Sequence, residues 1–529
     1  MLAALKADTT LVDGDNNNLF ASCTTAADVA AVLSANNTNK ALAESFAQLA
    51  SENLSTVVAG TSTETASPYT ITGLSAGYYL VKDKDGTVTA EGDSYTDIIL
   101  EVVADVTVDA KANTTTVDKK VDSETDSKNE TTADYDIGDD VPFTLIANLP
   151  SNYASYSEYK LTFHDTLSSG LKFNNNVEVS VYTVYTGTTW AGDAYYEYDS
   201  NTGAFSKVDT TAVTDPASGT TYYTKTTVDG GYDVATSTVG TLSDNDCTFE
   251  VQIADVNSLT NGSSTITIES TSKIVVEYTA ELLSSAVTKE TNGVKLEYSN
   301  NPNDNGSGTG TTTADITTVF TFTLDVNKVD DNGDALYGAG FTLYKAEEQS
   351  GLTDFADDTT YYTIDSNGTP TAVDTTTVTA PASGTTYYVY TAVGSEKTGG
   401  TTFTFDGLGV GYYKLVESTT PTGYNTMDDM YFTIVAETEE DASGNASVKS
   451  LTIKDSDGNV ISAADDNEPF TISTTDQSIS TDIENHKGSS LPSTGGIGTT
   501  IFYVVGGVMV VGALTLLITR LRMRKRKSI

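Results

Sequence analysis

Alternation of apolar and polar positions is the main pattern along most of the chain. Segments such as "TSKIVVEYTAEL" at 271–282 and "VFTFTLDVNKV" at 319–329 alternate between apolar and polar residues at most positions. Clusters of Asn, Asp and Gly separate such segments. A period of two with many Val, Thr and Tyr residues is typical of short antiparallel strands. Over 529 residues, this pattern predicts a mainly β protein built of several Ig-like β-sandwiches in tandem.

Two segments break the alternation. Ala27–Leu54 is rich in Ala and Leu, and its apolar positions recur every three or four residues, which predicts one helical element near the amino terminus. Ile501–Ile518 is eighteen residues without a charge, near the lower limit for a helix that crosses a bilayer. We therefore predict one C-terminal transmembrane helix.

A cluster of cations follows the predicted span: Arg520, Arg522, Arg524, Lys525, Arg526 and Lys527. A basic flank of this kind is typical of the cytoplasmic side of a membrane. Everything before Ile501 is therefore expected outside the cell, with membrane contact limited to this anchor. Such a protein needs export, but the first residues do not have the pattern of a signal peptide. The simplest interpretation is that the N-terminal domain is truncated.

The charge balance limits the possible partners. The chain carries 28 Lys and Arg against 73 Asp and Glu, a net charge of −45 at pH 7, which repels polyanions and argues against nucleic acid. Cys23 and Cys247 are the only cysteines, so one bridge is possible but a disulfide framework is not. With two cysteines and two histidines, we predict no metal site and no cofactor.

Changes in composition divide the chain into four parts. We predict an N-terminal domain over 1–112, a second domain over 113–313, a third over 314–487, and a terminal segment over 488–529. Within the second part, Asn300–Thr313 reads as a strand end followed by a linker, because Asn, Gly and Thr dominate it.

Two similar stretches interrupt the second and third domains. Residues 195–223 and 361–388 both begin with Tyr-Tyr and both end with Pro-Ala-Ser-Gly-Thr-Thr-Tyr-Tyr. We interpret them as insertions that form small β excursions. Tyrosine suits a binding surface, but a duplicated spacer without a ligand is the simpler interpretation of the repeat, and both interpretations stay open.

The segment before the predicted span carries a motif, "LPSTGG" at Leu491–Gly496. It resembles the Leu-Pro-x-Thr-Gly signal that sortases recognise, which implies that Leu491, Pro492, Thr494 and Gly495 form a sortase site. The resemblance further implies cleavage after Thr494 and transfer of its carbonyl to an amine. The alternative is an ordinary single-pass membrane protein.

Upstream motifs narrow the resemblance. "FDGLGVGYYKLVESTTPTGY" at 405–424 and "TDIENHKG" at 481–488 are similar to motifs of Gram-positive backbone pilins. This group has a fimbrial isopeptide-forming middle domain and a SpaA-like, or collagen-adhesin B-type, final domain. The resemblance implies intramolecular bonds between a lysine and an asparagine. Burial disfavours the charged forms of the amine and of a nearby acid, so the neutral amine can attack while the acid shuttles protons, once per chain.

In the third domain, the alternation of "LDVNKVD" turns Lys328 into the predicted core. The resemblance implies Glu417 as the promoting acid and Asn485 as the partner of Lys328. The first domain has a similar Gly-Tyr-Tyr strand, but Lys82 stands where the acid is expected, so we predict no bond there.

In the second domain, the alternation of "TVDKKVD" selects Lys119 over Lys120. The segment "LTFHDTLSSGLKF" resembles the strand that carries the acid in this family, which implies Asp165. The alternation of "VKLEYSNNP" favours Asn300 over Asn301 as the partner of Lys119.

Polymerisation also needs a lysine that accepts the Thr494 acyl group. Backbone pilins carry it in a Tyr-Pro-Lys context near the end of the first domain, and Lys111 has this place, although Asp109 and Ala110 replace the Tyr and Pro. The resemblance therefore implies a backbone pilus subunit on the cell surface, covalently attached to the wall. The implied partners are sortase, neighbouring subunits, peptidoglycan and a possible host ligand.

Two other functions remain open. A monomeric wall-anchored adhesin would share every motif except a working Lys111. An enzyme is not expected, because His164 and His486 are the only imidazoles and no nucleophile and base stand out. A glycosidase-like carboxylate pair is compatible with so acidic a chain.

Overall fold

The computed structural model describes residues 1–13, 17–36, 39–53, 57–65, 68–84, 86–108, 114–123, 130–192, 194–200, 202–237, 242–243, 246–302, 308–441, 444–455, 457–462 and 470–487. Lys111, the motif at Leu491–Gly495 and the predicted span at Ile501–Ile518 lie outside these residues. In the part of the chain that is described, no helix combines the length and the apolar character needed to cross a membrane.

The first domain packs three helices beside one antiparallel strand pair. Its elements are α1 (Leu2–Ala7), α2 (Ala26–Ala35), α3 (Lys40–Glu52), β1 (Gly77–Lys82) and β2 (Asp97–Val102). Leu5, Leu11, Phe20 and Phe46 form the centre of its apolar core.

The helix predicted over Ala27–Leu54 is divided into α2 and α3. Asn36 follows α2, and its side-chain amide donates to the carbonyl of Val32 at 2.8 Å. Asn39 caps α3 by accepting a hydrogen bond from the backbone N–H of Leu42 at 3.1 Å. Asparagine favours helix ends because its short side chain bonds to nearby backbone groups. The asparagine-rich segment therefore separates two helices.

The middle domain is a sandwich of two large sheets. Its strands are β3 (Thr116–Val121), β4 (Thr132–Asp134), β5 (Asp140–Asn148), β6 (Leu161–Leu167), β7 (Leu171–Phe173), β8 (Glu178–Tyr185), β9 (Tyr195–Asp199), β10 (Ala204–Lys207), β11 (Tyr222–Val228), β12 (Asp233–Thr236), β13 (Phe249–Ile253), β14 (Thr260–Asn261), β15 (Ser264–Thr265), β16 (Lys273–Leu282), β17 (Lys289–Ser299), β18 (Thr309–Thr311) and β19 (Asp315–Phe320). One sheet has the order β10-β9-β11-β8-β16-β5-β3, and the other has the order β12-β13-β6-β17-β19-β4. Their inner faces enclose one apolar core.

The third domain repeats this architecture with a smaller second sheet. Its strands are β20 (Phe322–Asp330), β21 (Gly340–Glu348), β22 (Tyr362–Ile364), β23 (Pro370–Ala372), β24 (Tyr388–Ala392), β25 (Lys397–Thr398), β26 (Thr402–Leu408), β27 (Gly411–Thr419), β28 (Met430–Glu440), β29 (Ala446–Asp455), β30 (Val460–Ser462), β31 (Phe470–Ser473) and β32 (Ser478–Asn485). The four-stranded sheet has the order β26-β20-β32-β31, and the larger sheet has the order β23-β22-β24-β21-β27-β28-β29-β30. The first strand, β20, and the last, β32, pair in parallel.

Both repeated stretches are β excursions, as the sequence predicts. Strands β9 to β11 extend one edge of the middle domain, and β22 to β24 extend the matching edge of the third. In each copy the backbone N–H of an alanine donates to a tyrosine hydroxyl, from Ala217 to Tyr222 at 3.3 Å and from Ala382 to Tyr387 at 3.0 Å. The shared sequence therefore folds into the same local turn twice.

The middle and third domains join without a linker. Strand β19 ends at Phe320 and still pairs with β17, whereas β20 begins at Phe322, so the boundary lies at Thr321 and not at 313. Within the predicted linker, β18 pairs with β17.

Contacts across this junction hold the two domains together. The Asp136 carboxylate forms an ion pair with Lys345 and accepts a hydrogen bond from the backbone N–H of Gly409 at 2.8 Å. The Lys289 ammonium donates to the carbonyl of Ala446 at 2.7 Å.

Candidate functional site: two buried lysine clusters

Lys119 is the centre of a polar cluster inside the middle domain. Strand β3 turns Val117, Lys119 and Val121 inward, and Lys119 is fully buried while Lys120 is partly exposed, as the alternation predicts. The lysine ammonium lies 5.3 Å from the ring centroids of both Phe143 and Tyr278. A lysine in such surroundings is costly unless its head group finds a polar partner.

Two groups provide that partner. The Asp165 carboxylate, on β6 of the opposite sheet, contacts the Lys119 ammonium directly and is itself fully buried. The Tyr278 hydroxyl, on β16, accepts a hydrogen bond from Lys119 at 2.8 Å and donates one to Asp165 at 2.9 Å. The predicted lysine and acid therefore meet, and a tyrosine that the sequence did not single out links them.

Burial shifts both ionisable groups toward their neutral forms. It lowers the pKa of Lys119 and raises the pKa of Asp165, while their mutual attraction opposes both shifts. Transfer of one proton from the ammonium to the carboxylate produces a neutral amine beside a neutral acid, which is the state required for attack on an amide.

The asparagine at this cluster is Asn292 and not Asn300. Asn292, on β17, is fully buried, and its side-chain amide donates to the Tyr278 hydroxyl at 2.7 Å. Asn300 follows the far end of the same strand. Its backbone carbonyl accepts a hydrogen bond from the backbone N–H of Tyr95 in the first domain at 2.7 Å. Eight residues of β-strand separate the two asparagines by about 26 Å. The structure thus does not bring the predicted Asn300 to Lys119.

The sequence pattern that favours Asn300 also includes Asn292. The alternation that aligned Leu296, Tyr298 and Asn300 continues back through Val294 to Asn292, so the predicted face of β17 is the correct one. The choice along that face depends on the register with β6, in which Asp165 pairs with Val294, and this register is a property of the fold.

The third domain holds a second cluster of the same residue types. Lys328 on β20, Glu417 on β27 and Asn485 on β32 are all buried. In the parallel pairing, Lys328 lies opposite Ile483, and its ammonium donates to the Ile483 carbonyl at 2.6 Å. The lysine head group is therefore held two residues along the strand from Asn485.

The acid bridges this cluster from the other sheet. The Asn485 amide donates to one oxygen of Glu417 at 2.7 Å, and the backbone N–H of Met427 donates to the other at 2.9 Å. Burial lowers the pKa of Lys328, although the nearby Glu417 carboxylate opposes this shift. A half-turn of the Asn485 carboxamide would bring its oxygen to Glu417 and direct its amide nitrogen away from the acid. Asn485 and Glu417 are therefore in direct contact, and Lys328 lies close to them with its ammonium on the Ile483 carbonyl.

Comparison with known proteins assigns this domain. Residues 322–450 match the family model of SpaA, described as a prealbumin-like fold domain. The third domain, which contains these residues, is SpaA-like, and we refer to it as the SpaA domain. Residues 483–528 match the LPXTG cell wall anchor motif, and no curated protein matches the chain. The SpaA-like final domain and the wall anchor predicted from the sequence are confirmed.

Several of the solved structures to which this chain is similar are major pilins. The T6 backbone pilin of serotype M6 Streptococcus pyogenes is 15% identical over 79% of this chain and 82% of that chain, with a TM-score of 0.40. The group B streptococcus pilus 2b backbone protein is 19% identical over 71% and 99% of the two chains, with a TM-score of 0.33. The major pilin SpaA of Corynebacterium diphtheriae is 12% identical over 80% and 83%, with a TM-score of 0.38.

The SpaA domain extends beyond the matched residues. Strands β31 and β32 complete its four-stranded sheet, and β32 carries Asn485 next to β20.

In the first domain, Lys82 is exposed at the end of β1, opposite Asp97 in the strand pairing. Its exposure does not provide the buried setting that the bond requires.

Proposed function

We propose that this chain is the structural backbone subunit of a sortase-assembled surface pilus. The single observation that carries the proposal is that both sandwich domains bury a lysine, an acid and an asparagine at one place. The SpaA match and the LPXTG anchor support it, because together they describe a pilin-like module on a protein exported to the cell wall.

In the middle domain, we propose an isopeptide bond between Lys119 and Asn292. The neutral Lys119 amine attacks the side-chain carbonyl carbon of Asn292, and the bond from that carbon to the amide nitrogen breaks. The nitrogen leaves as ammonia after it receives a proton through Asp165, and Tyr278 orients the reacting groups through its hydrogen bonds. The reaction occurs once per molecule, so the chain is not an enzyme for an external substrate.

In the SpaA domain, Lys328 attacks Asn485 in the same way, with Glu417 as the acid. The bond joins the first strand of the domain to its last strand, which run in parallel. Tension applied at the two ends of the domain therefore passes through the bond and not through the sheets. Closing loops of about 170 residues in the middle domain and about 160 in the SpaA domain is worth about 5 kcal/mol each.

Assembly uses two further groups of this chain, Thr494 and Lys111. Sortase cleaves after Thr494 and joins its carbonyl to the Lys111 amine of the next subunit, while the last transfer goes to peptidoglycan. The membrane anchor is then left behind. The finished subunit is a covalently joined part of a fibre on the cell surface, and any host ligand would bind to that fibre.

Replacing Lys111 with arginine tests the assembly step. When the chain is produced together with its sortase, we expect the native protein to form a ladder of high-mass species on denaturing gels and the K111R variant to run as a monomer. Arginine keeps the charge but is a poor nucleophile because it stays protonated. K120R is the matched control, since Lys120 is a partly exposed lysine on β3, shortly after Lys111 in the sequence.

The same experiment separates the pilus from its rival. If the native chain reaches the wall but forms no ladder, a monomeric wall-anchored adhesin replaces the pilus subunit as the function. If the ladder persists in K111R, another lysine joins the subunits, and the proposed role of Lys111 is wrong.

Replacing Tyr278 with phenylalanine tests its positioning role. The variant keeps the ring but loses a hydroxyl that contacts Lys119, Asp165 and Asn292. Losing a buried hydrogen bond costs about 1–3 kcal/mol, so we expect the bond to form about 5- to 150-fold more slowly. The measurement follows the crosslinked fraction after expression by mass spectrometry. Tyr298→Phe is the control, because its hydroxyl donates to the Asp93 carbonyl of the first domain at 2.8 Å. Equal rates for both variants would contradict the role of Tyr278.

A further inference from the structure

The outer face of β6 and β13 carries a third polar cluster that the isopeptide chemistry does not use. His164 and Glu250 lie opposite each other in the pairing of these strands, and Cys247 precedes β13 by two residues. The neighbouring pair Asp165 and Phe249 points to the other side, into the core. The third cluster is therefore separated from Lys119 by the thickness of the sheet.

The cluster is buried although it lies outside the sandwich. Glu250 is fully buried, and His164 and Cys247 are 7% and 9% exposed. The Glu250 carboxylate accepts hydrogen bonds from the backbone N–H of Ser243 at 2.8 Å and from the Ser243 hydroxyl at 2.9 Å, which fix the position of its oxygens. These three residue types in one buried place are also the side chains that bind zinc in proteins.

The donor atoms are close enough to share one ion. His164 Nδ1 lies 2.9 Å from Glu250 Oε1, Cys247 Sγ lies 3.8 Å from the same oxygen, and one donor atom from each residue falls within 4.8 Å of the others. Around a tetrahedral zinc ion, bonds of about 2.0 Å to N or O and about 2.3 Å to S place the donor atoms about 3.3–3.7 Å apart. Shifts of about an ångström or less would convert the cluster into such a site.

The surroundings of His164 favour Nδ1 as a ligand. Its other nitrogen, Nε2, lies 3.6 Å from the Glu297 carboxylate, which in turn forms an ion pair with Lys160. Histidine ligands commonly direct their second ring nitrogen at a carboxylate, which fixes the ring and leaves the first nitrogen to face the metal. Glu297 thus lies on the Nε2 side of the ring, while Nδ1 faces Glu250.

We propose that His164, Cys247 and Glu250 form a binding site for a thiophilic divalent cation of the zinc class. Nδ1, the thiolate and the carboxylate supply three ligands, and water or the second carboxylate oxygen supplies the fourth. Binding releases the thiol proton and the proton between Nδ1 and Glu250. The ion would fasten the segment before β13 to β6. The sequence offered only two cysteines and two histidines, and the fold brings one of each together.

A second group of possible ligands provides an internal comparison. Asp331, Glu484 and His486 also bring donor atoms within 4.8 Å of one another, but all three residues are exposed and none is a thiol. A cobalt ion bound there would lack the ultraviolet charge-transfer band of a cobalt–thiolate bond. The two locations can therefore be distinguished by spectroscopy.

The test is a titration of the purified, reduced chain with Co²⁺, followed by displacement with Zn²⁺. We expect one Co²⁺ per chain with a thiolate charge-transfer band that zinc abolishes. Cys247→Ser should eliminate the band and weaken binding at least about tenfold. Cys23→Ser, which changes the other buried cysteine in the first domain, should leave both unchanged.

A folding control keeps the test decisive. The bond between Lys119 and Asn292 forms only in a folded middle domain, but near-ultraviolet circular dichroism reports folding even if that bond is absent, so the metal test does not depend on the proposed function. If Cys247→Ser does not fold, the isosteric Glu250→Gln takes its place, and because the thiolate remains, the expected result is Co²⁺ binding weakened at least about tenfold. Absence of a thiolate band in the native chain, an unchanged band in folded Cys247→Ser, or unchanged Co²⁺ binding in folded Glu250→Gln overturns the site.

Discussion

We expect Asn292→Ala to abolish the proposed crosslink of the middle domain and Asn300→Ala to leave it intact. Of these two asparagines, Asn292 is the one that contacts the hydrogen-bonded group around Lys119, through the Tyr278 hydroxyl. Asn300 is a stringent control because it is also a buried asparagine. It directly follows β17 and continues the alternation that buries Asn292. Loss of the bond should lower the free energy of unfolding by about 5 kcal/mol, the entropy that a loop of this length regains.

Tryptic mapping provides the measurement. The native chain and Asn300→Ala should each yield a branched peptide that joins Lys119 to Asn292, and each should weigh less than its sequence by one ammonia for every bond. Asn292→Ala should retain one more ammonia equivalent than the native chain. A branched peptide that contains Asn300 instead would restore the partner predicted from the sequence and refute the cluster geometry.

We expect Asn485→Ala to make the SpaA domain extensible under force. In the native chain, the proposed bond between Lys328 and Asn485 would carry the tension, so the residues between them should not lengthen at any force that leaves covalent bonds intact. In the variant, β20 and β32 are held only by hydrogen bonds. Rupture should release about 155 residues, a gain in length of about 500 Å.

Single-molecule pulling on the whole chain measures this difference directly. Asn327→Ala is the matched control, because Asn327 adjoins Lys328 and its side chain bonds to Asp482 across the same two strands, but at the surface. The control should remain inextensible. A native SpaA domain that lengthens like the Asn485→Ala variant would show that no bond forms between Lys328 and Asn485.

The sequence predicted the cluster in the SpaA domain because each member has a local signal. Alternation turns Lys328 inward, and the strands of Glu417 and Asn485 carry recognisable motifs. The middle domain shows where such reasoning fails. A period of two identifies the buried face of β17, but every second residue satisfies it, and only pairing with β6 decides which asparagine meets the lysine.

The other differences have the same origin. Tyr278 reaches Lys119 from a strand that is distant in sequence, so no local pattern indicates its role. The same holds for the separate group of His164, Cys247 and Glu250. The helix over Ala27–Leu54 was predicted correctly in type, but its interruption depends on side-chain caps at Asn36 and Asn39.

The most direct test of the pilus subunit is mass spectrometry of the protein in its native wall fraction. Tryptic digestion of high-mass material should release a branched peptide in which the Thr494 carbonyl is joined to Lys111 of another chain. Peptides that join Lys119 to Asn292 and Lys328 to Asn485 should accompany it. If Thr494 is instead found only on a cell wall peptide and never on a second copy of this chain, the protein is anchored as a monomer and does not form a pilus.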